Sequence, residues 1–249
     1  MTIAPAAAAP PRAAVTIAAE RRGGRTVLRR LAGTEPWHPR PLAPAAGGVA
    51  RVALVQSRAS ILGGDEIALE VALGPGARLE LVELGATIAH HARDRGPAKL
   101  DVALELAGDA ALVWRAQPLV AAAGCALERH CLVTLAAGAR AFLRDTLVLG
   151  RAHEEPGAVR SHLRALHDGR PLLDEQLDTT RVLRSPVVAG GARVLDGLTL
   201  LGVADPEPPT HVMTLARPGA LWRGAGDDAA ALERTAAPLA ERWRALMLG

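Results

Sequence analysis

Tyrosine is absent from this 249-residue chain, phenylalanine occurs once and tryptophan four times. The core must therefore be aliphatic, and the aromatic platforms on which nucleic-acid bases stack are missing. Lysine occurs only at Lys99. The arginine bias, beside an excess of alanine, reads as the mark of a GC-rich genome, so arginine alone does not argue for guanidinium chemistry. Two cysteines, Cys125 and Cys131, are too few for a disulfide framework and agree with a reducing cytoplasm. No stretch offers an uninterrupted transmembrane span. Residues 1–12 form an Ala/Pro tract without a basic start, broken by Pro5, Pro10 and Pro11, which suits neither a signal peptide nor an anchor. Catalytic signatures are missing too. There is no Gly-x-Ser-x-Gly elbow, no Gly-x-x-x-x-Gly-Lys-Ser/Thr phosphate loop and no His-Glu-x-x-His pair.

What is present is apolar mass and a repeat. At 49% hydrophobic residues and a mean hydropathy of +0.15, the chain can bury a substantial core. Three segments share one signature: Leu73-Gly-Pro-Gly-Ala-Arg-Leu-Glu-Leu81, Leu106-Ala-Gly-Asp-Ala-Ala-Leu-Val-Trp114 and Leu135-Ala-Ala-Gly-Ala-Arg-Ala-Phe-Leu143. A looser copy begins at Leu166, so the starts fall 33, 29 and 31 residues apart. Each segment reads as a tight turn between two strands. Ahead of the turns, Ile67, Leu69, Val71 and Leu73 alternate with smaller or polar residues, as do Leu100, Val102, Leu104 and Leu106, and Leu127, Cys131, Val133 and Leu135. A period of two puts each apolar set on one face of a strand. No single turn unit can bury that face alone, so copies must stack.

The pattern predicts a mainly β fold: stacked antiparallel hairpins in a β-helix-like or layered body, with short C-terminal α-helices. Residues 1–13 are expected to be a disordered Ala/Pro-rich N-terminus and residues 14–249 a single β-rich domain. Strands are expected near 15–17 and 25–31, a Pro-rich connection over 36–44 and a loop-rich stretch over 185–218. A helical segment over about 227–248 can be capped by Asp227 or Asp228. Its apolar residues Leu232, Ala236, Leu239, Trp243, Leu246 and Met247 recur every three or four positions, and Pro238 would split or kink it. Such a stripe is either core or, at Leu239, Trp243 and Leu246, a docking face for a helical partner.

Charge is uneven. Residues 1–60 hold nine arginines and two glutamates, and this excess suits either an acidic partner or a solvated face. Metal-ligand spacing is weak throughout. Strand parity puts His130 and Cys131 on opposite faces, and His90 with His91, His153 with Glu154 and Glu155, and His162 with His167 are scattered pairs that leave room only for weak metal contact.

Several collinear segments resemble the urease accessory protein UreD (UreH) family. They are Ile61-Leu62-Gly63-Gly64-Asp65, the turn Gly74-Pro75-Gly76-Ala77, Gly85-Ala86-Thr87, the run Trp114 to Val120 with Gln117 and Pro118, and Asp145 followed by Leu149-Gly150-Arg151 and Glu154. The chain departs from the family pattern at Ala59-Ser60, where Gly-Gly is usual, at Glu83-Leu84, where Thr-Gln is usual, at Ala116, where proline is usual, and at Thr87-Ile88 and His90. The resemblance implies a non-enzymatic chaperone of urease maturation, in the cytoplasm, with a stack of strands and short C-terminal helices. The implied partners are a UreF-like helical protein, through it a UreG-like GTPase that carries nickel, and apo-urease, with no nucleic acid and no membrane. No stably bound cofactor is implied, only transient Ni2+. Because nitrogen and sulfur ligands would trap nickel, carboxylates suit a conduit better. That ranks Asp65, Asp145 and Glu154, with Arg151 as a partner-facing or pairing residue, above Cys125, Cys131 and His130. Gly63, Gly64, Gly76, Ala77, Thr87, Gln117, Pro118 and Gly150 are the family-like structural positions. Two other readings stay open: a structural or ligand-binding β-solenoid without a metal role, and a metal-dependent hydrolase using residues 153–155.

Overall fold

A computed structural model describes residues 14–58, 60–182 and 191–249. The expected disordered N-terminus, residues 1–13, lies outside the described residues.

The chain winds between two sheets. After β1 (Ala14–Arg22), β2 (Arg25–Ala32), β3 (Trp37–Ala45), β4 (Val49–Gln56) and the two-residue β5 (Ser60–Ile61), three successive turns of the coil follow. These are β6 (Glu66–Leu73), β7 (Arg78–Glu83) and β8 (Thr87–Ala89); then β9 (Ala98–Leu106), β10 (Ala111–Arg115) and β11 (Leu119–Ala121); then β12 (Ala126–Leu135) and the long β13 (Arg140–Leu149). A hairpin of β14 (Ala158–His167) and β15 (Arg170–Asp178) comes next, then β16 (Val194–Leu201), β17 (Met213–Thr214), β18 (Gly219–Gly226) and a helix, Ala229–Leu248. One sheet has the order β15-β14-β12-β9-β6-β1-β2. The other runs β17-β18-β16-β13-β10-β7-β4-β3, with the short strands β5, β8 and β11 extending it beside the end of β13. The body is mainly β and solenoid-like, as the repeat predicts.

The turns, however, are not hairpins in the first three copies. β6 and β7 belong to different sheets, and so do β9 and β10, and β12 and β13. Each repeated turn is a corner that carries the chain across, and the pairing between copies is parallel. Leu69 lies beside Val102 and Val102 beside Cys131, offsets of 33 and 29 residues that match the spacing of the turns. Only the fourth copy folds back on itself, with β14 and β15 antiparallel. The corner chemistry explains the signature. Its fourth residue is left-handed in every copy: Gly76 at φ 64, Asp109 at 59, Gly138 at 71 and Gly169 at 69. Glycine and aspartate are the residues that tolerate this region. The next residue in the first three, Ala77, Ala110 or Ala139, is fully buried where only a small side chain fits.

Other expectations change. The Pro-rich stretch 36–44 contains β3, an edge strand that carries Pro39, Pro41 and Pro44. Proline there removes donors from the exposed side of the sheet and blunts the edge. The stretch read as loop-rich holds β16, which pairs with β13 and β18; residues 183–190 lie outside the described residues. Its strand was hidden by short flanking context rich in glycine and proline.

In place of short helices there is one 20-residue helix, capped by the Asp228 side chain accepting from the Ala230 amide at 2.8 Å and running through Pro238, which is exposed. Packing holds it. Ala236, Leu239, Ala240, Trp243 and Met247 bury against Val113, Phe142, Leu198, Leu200 and Trp222 on the outer face of the larger sheet. Trp243 meets Phe142 edge-on, with centroids 5.8 Å apart, and its indole donates to Asp205 at 2.8 Å. Buried Glu80 accepts from Arg51 and Arg244 beneath the helix. The docking reading of Leu239, Trp243 and Leu246 is therefore corrected: Trp243 is 0% exposed, Leu239 is buried, and Leu246 packs against the same cluster.

Candidate functional site

Strand parity fixes which side chains enter the space between the sheets. On β7, Leu79 and Leu81 point inward, and two residues on so does Glu83. On β12, Leu127, Cys131, Val133 and Leu135 share the inward register with Arg129. On β13, Leu143 and Leu147 flank Asp145. Glu83, Arg129 and Asp145 thus enter the layer between the sheets beside these aliphatic neighbours, and a cavity of about 130 Å³ opens among them. Its walls include Glu83, Thr87, Trp114, Gln117, Arg129 and Asp145.

Asp145 is enclosed by protein, yet 56% of its side chain is accessible, because the cavity lies against it. Arg129 binds it with both arms of the fork: Nη1 donates to Oδ1 at 2.9 Å and Nη2 to Oδ2 at 2.7 Å. Arg129 Nη2 also donates to Ser161 Oγ at 3.1 Å, so one guanidinium ties β13 of the larger sheet to β14 of the smaller. Burial alone would push the Asp145 carboxyl up; the charge and hydrogen bonds of Arg129, helped by the field of Arg223, outweigh it and hold it below the ordinary carboxylate range. The same pairing overcomes burial at Arg129 and raises it. Farther along the interface Arg223 donates to Glu175 at 2.9 and 2.5 Å and to Thr199 Oγ1 at 3.2 Å, a second bridge between the sheets.

Glu83 is different. Its Oε1 accepts from Trp114 Nε1 and its Oε2 from the Gln117 amide, both at 3.0 Å. Burial nevertheless pushes its carboxyl up to about 7, with the Asp145 charge adding to the rise and the two donors and Arg129 only partly opposing it. The site therefore holds one carboxyl pulled down and paired with Arg129, and one pushed up to about 7. Cys131 is pushed up to about 12 and Cys125 to about 11 by burial, so both stay thiols, poor ligands beside the carboxylates. Among the described residues no three His, Cys, Asp or Glu side chains converge to hold a metal ion. The arrangement can solvate and contact a small polar ion without caging it.

Of the four residues ranked from sequence, only Asp145 lines this cavity. Asp65 closes its own turn, Oδ2 accepting from the Leu62 amide at 2.8 Å and from Arg58 Nη2 at 2.7 Å. Glu154 is clasped by Arg151, Nε at 2.9 Å and Nη2 at 2.5 Å to Oε1, and also accepts from the Ala123 amide; the Arg151 hydrogen bond leads the effects that hold its carboxyl at about 2. Arg193 braces the same loop by donating to the Arg151 and Glu154 carbonyls. This engagement ties up Glu154, so within 153–155 that carboxylate is a brace of its loop rather than a free base. Of the family-like positions, Thr87 and Gln117 stand on the cavity wall, and Pro118 accepts the Thr87 amide at 3.0 Å. Gly63 is a close approach: a Cβ there would run into the Ala92 backbone of the neighbouring turn. Gly64 and Gly150 are left-handed, at φ 78 and 82. Glu83 and Arg129 are the residues that pattern reading missed, and both occupy inward positions in otherwise apolar alternations.

A family model described as UreD urease accessory protein matches residues 11–249. Urease accessory protein UreD 1 of Streptomyces griseus is 42% identical over 232 residues, covering 92% of this chain and 90% of its own length. UreD 2 of Saccharopolyspora erythraea is 36% identical over 248 residues, 96% and 84% of the two chains. UreD of Streptomyces coelicolor is 38% identical over 227 residues, 86% and 88%. No helix among the described residues is long and apolar enough to cross a membrane.

Proposed function

Since the chain belongs to the UreD family of urease accessory proteins, we propose that it is a non-enzymatic scaffold of urease maturation whose inter-sheet cavity forms part of the route by which nickel reaches apo-urease. The partners in this reading are a UreF-like helical protein, a UreG-like GTPase bound through it, and apo-urease, and nickel is cargo held only in transit. The observation that carries it is Asp145: a carboxylate at an inward strand position, paired with the largely buried Arg129 and bordering a cavity between the two sheets.

A conduit must offer oxygen ligands and water while binding too weakly to retain the ion. Divalent nickel is held most firmly by nitrogen and sulfur; the cavity offers carboxyl groups, the hydroxyls of Thr87, Ser161 and Thr199 and the protonated thiol of Cys131, while His130, which borders it, stands in the strand register opposite to Arg129 and Cys131. Neutralisation by Arg129 lowers the affinity of Asp145 for a cation, and Glu83 supplies further negative charge only as it ionises. Asp65, Arg151 and Glu154 serve in this reading as braces of the turns that shape the body. A tagged chain expressed with the other urease gene products and purified under gentle lysis should retain a UreF-like partner or urease. Recovery of folded chain alone, under conditions in which the partners are soluble, would defeat the scaffold reading.

A further inference from the structure

In the strand register opposite to Arg129 and Cys131, the smaller sheet carries a row of exposed side chains, of which His130 also borders the cavity. Parallel register places Asp101 of β9 beside His130 of β12, and His130 beside His162 of β14. The two imidazoles stand edge to face with centroids 6.4 Å apart. Each is held at its far side by a carboxylate: His130 Nδ1 lies 3.1 Å from Asp101 Oδ1, and His162 Nε2 lies 2.8 Å from Asp174 Oδ1. A carboxylate can only accept, so in the neutral rings these nitrogens carry the protons. His130 Nε2 and His162 Nδ1 are left with lone pairs on neighbouring strands.

We propose that His130 and His162 form a two-imidazole site for a divalent first-row transition-metal cation, with Asp101 and Asp174 orienting the rings. The carboxylate–imidazole–metal arrangement is the one in which a carboxylate fixes the tautomer and raises ligand basicity. Geometry permits closure. With metal–nitrogen distances of about 2.0–2.1 Å and a near-tetrahedral angle, two ring centroids sit roughly 5 Å apart, so the pair must draw in by about 1 Å from its 6.4 Å separation. The His130 ring is more than half exposed and the His162 ring about a third, which leaves room for that rotation. Imidazole selects nickel, copper or zinc over magnesium or calcium. In this site water completes the coordination, since among the described residues no third His, Cys, Asp or Glu side chain converges with the pair. The flanking rows add opposed charges, Glu128 with Arg160 on one side and Arg164 near Asp174 on the other, and so contribute little net field. Both rings occupy the register opposite to the inward Arg129 and Cys131, and cation binding by the isolated chain can be measured without reference to the maturation role.

The test is titration of the full chain with Ni2+ or Cu2+ alone, by calorimetry and by broadening of the imidazole signals in nitrogen-15 NMR. One cation should bind, with the His130 and His162 rings broadened first. His130→Ala and His162→Ala should each weaken binding at least tenfold, the double variant should be no worse than about the weaker single, and Asp101→Asn should weaken it several-fold while both rings remain. These exposed substitutions should leave the circular dichroism spectrum unchanged. No binding by the unaltered chain, first broadening at other histidines, or equal affinity in the double variant would each overturn the proposal.

Discussion

Replacing Glu83 by glutamine isolates the cost of keeping a carboxyl inside the sandwich. The carboxyl titrates at about 7 in the fold against an ordinary value of 4.5. Between those limits the folded chain binds more protons than the unfolded one, so Glu83 lowers stability progressively as pH rises from about 4.5 and reaches its full cost above about 7. A displacement of that size corresponds to roughly 3 kcal/mol at about 1.4 kcal/mol per pH unit, of which about 2.5 kcal/mol develops between pH 5 and 8. Glutamine does not titrate. It also presents an NH2 where Glu83 accepts from Trp114 or Gln117, so its absolute stability is lowered by a pH-independent amount, about 1–3 kcal/mol. The informative quantity is therefore the slope. Urea denaturation of both proteins at pH 5, 6, 7 and 8 should show the wild-type chain losing about 2.5 kcal/mol relative to Glu83→Gln across the series. Because every other titrating group is common to the two proteins, the difference belongs to Glu83. A flat difference would mean that the cavity solvates this carboxyl like open water, and the picture of a partly dry interior would fall.

Three further outcomes follow from the packing. Trp243→Ala empties the junction of helix and sheet and leaves Asp205 to Arg242 and the Glu207 amide, and should cost about 3–5 kcal/mol by chemical denaturation; a loss under about 1 kcal/mol would show that the helix does not depend on this anchor. Gly63→Ala forces a methyl into the Ala92 backbone and should cost about 1–3 kcal/mol, with an unchanged melting temperature arguing against the close stacking of neighbouring turns. Asp65→Ala removes a turn clamp and should lower stability by about 1–3 kcal/mol, while the folded fraction supports full nickel-dependent urease activation; selective loss of activation would return Asp65 to the ion route.

Much of the architecture is legible in the repeat, because the corner needs a left-handed residue and then a buried alanine, and both leave marks in sequence. The 33- and 29-residue spacing of those corners is also the register of the sheets. What spacing does not carry is the sheet to which the next strand belongs. A hairpin and a corner use the same glycine, and only the fourth copy, shifted at Ala165/Leu166, closes as a hairpin. The helix stripe was legible but its partner was not: Leu239 and Trp243 fit a sheet of the same chain as readily as another protein. At the candidate site Asp145 stood out through a family-like motif, whereas Glu83 and Arg129 were readable only as gaps in apolar alternation. A charged residue at an inward strand position is costly unless paired or wetted, and that physical criterion locates all three. Asp65 and Glu154 looked equally suitable by charge, but hydrogen bonds from Arg58, Leu62 and Arg151 already occupy them.

The most direct test of the central claim is the nickel content of urease matured with the Asp145→Asn chain. The substitution keeps the size of the side chain and removes the charge opposite Arg129, so the comparison is made on material whose partner complex is recovered intact. If the cavity carries the ion, the complex should assemble and urease should receive at least tenfold less nickel than with the unaltered chain at equal Ni2+. An intact complex that fills urease normally would contradict the account and leave the Asp145–Arg129 pair a structural bridge.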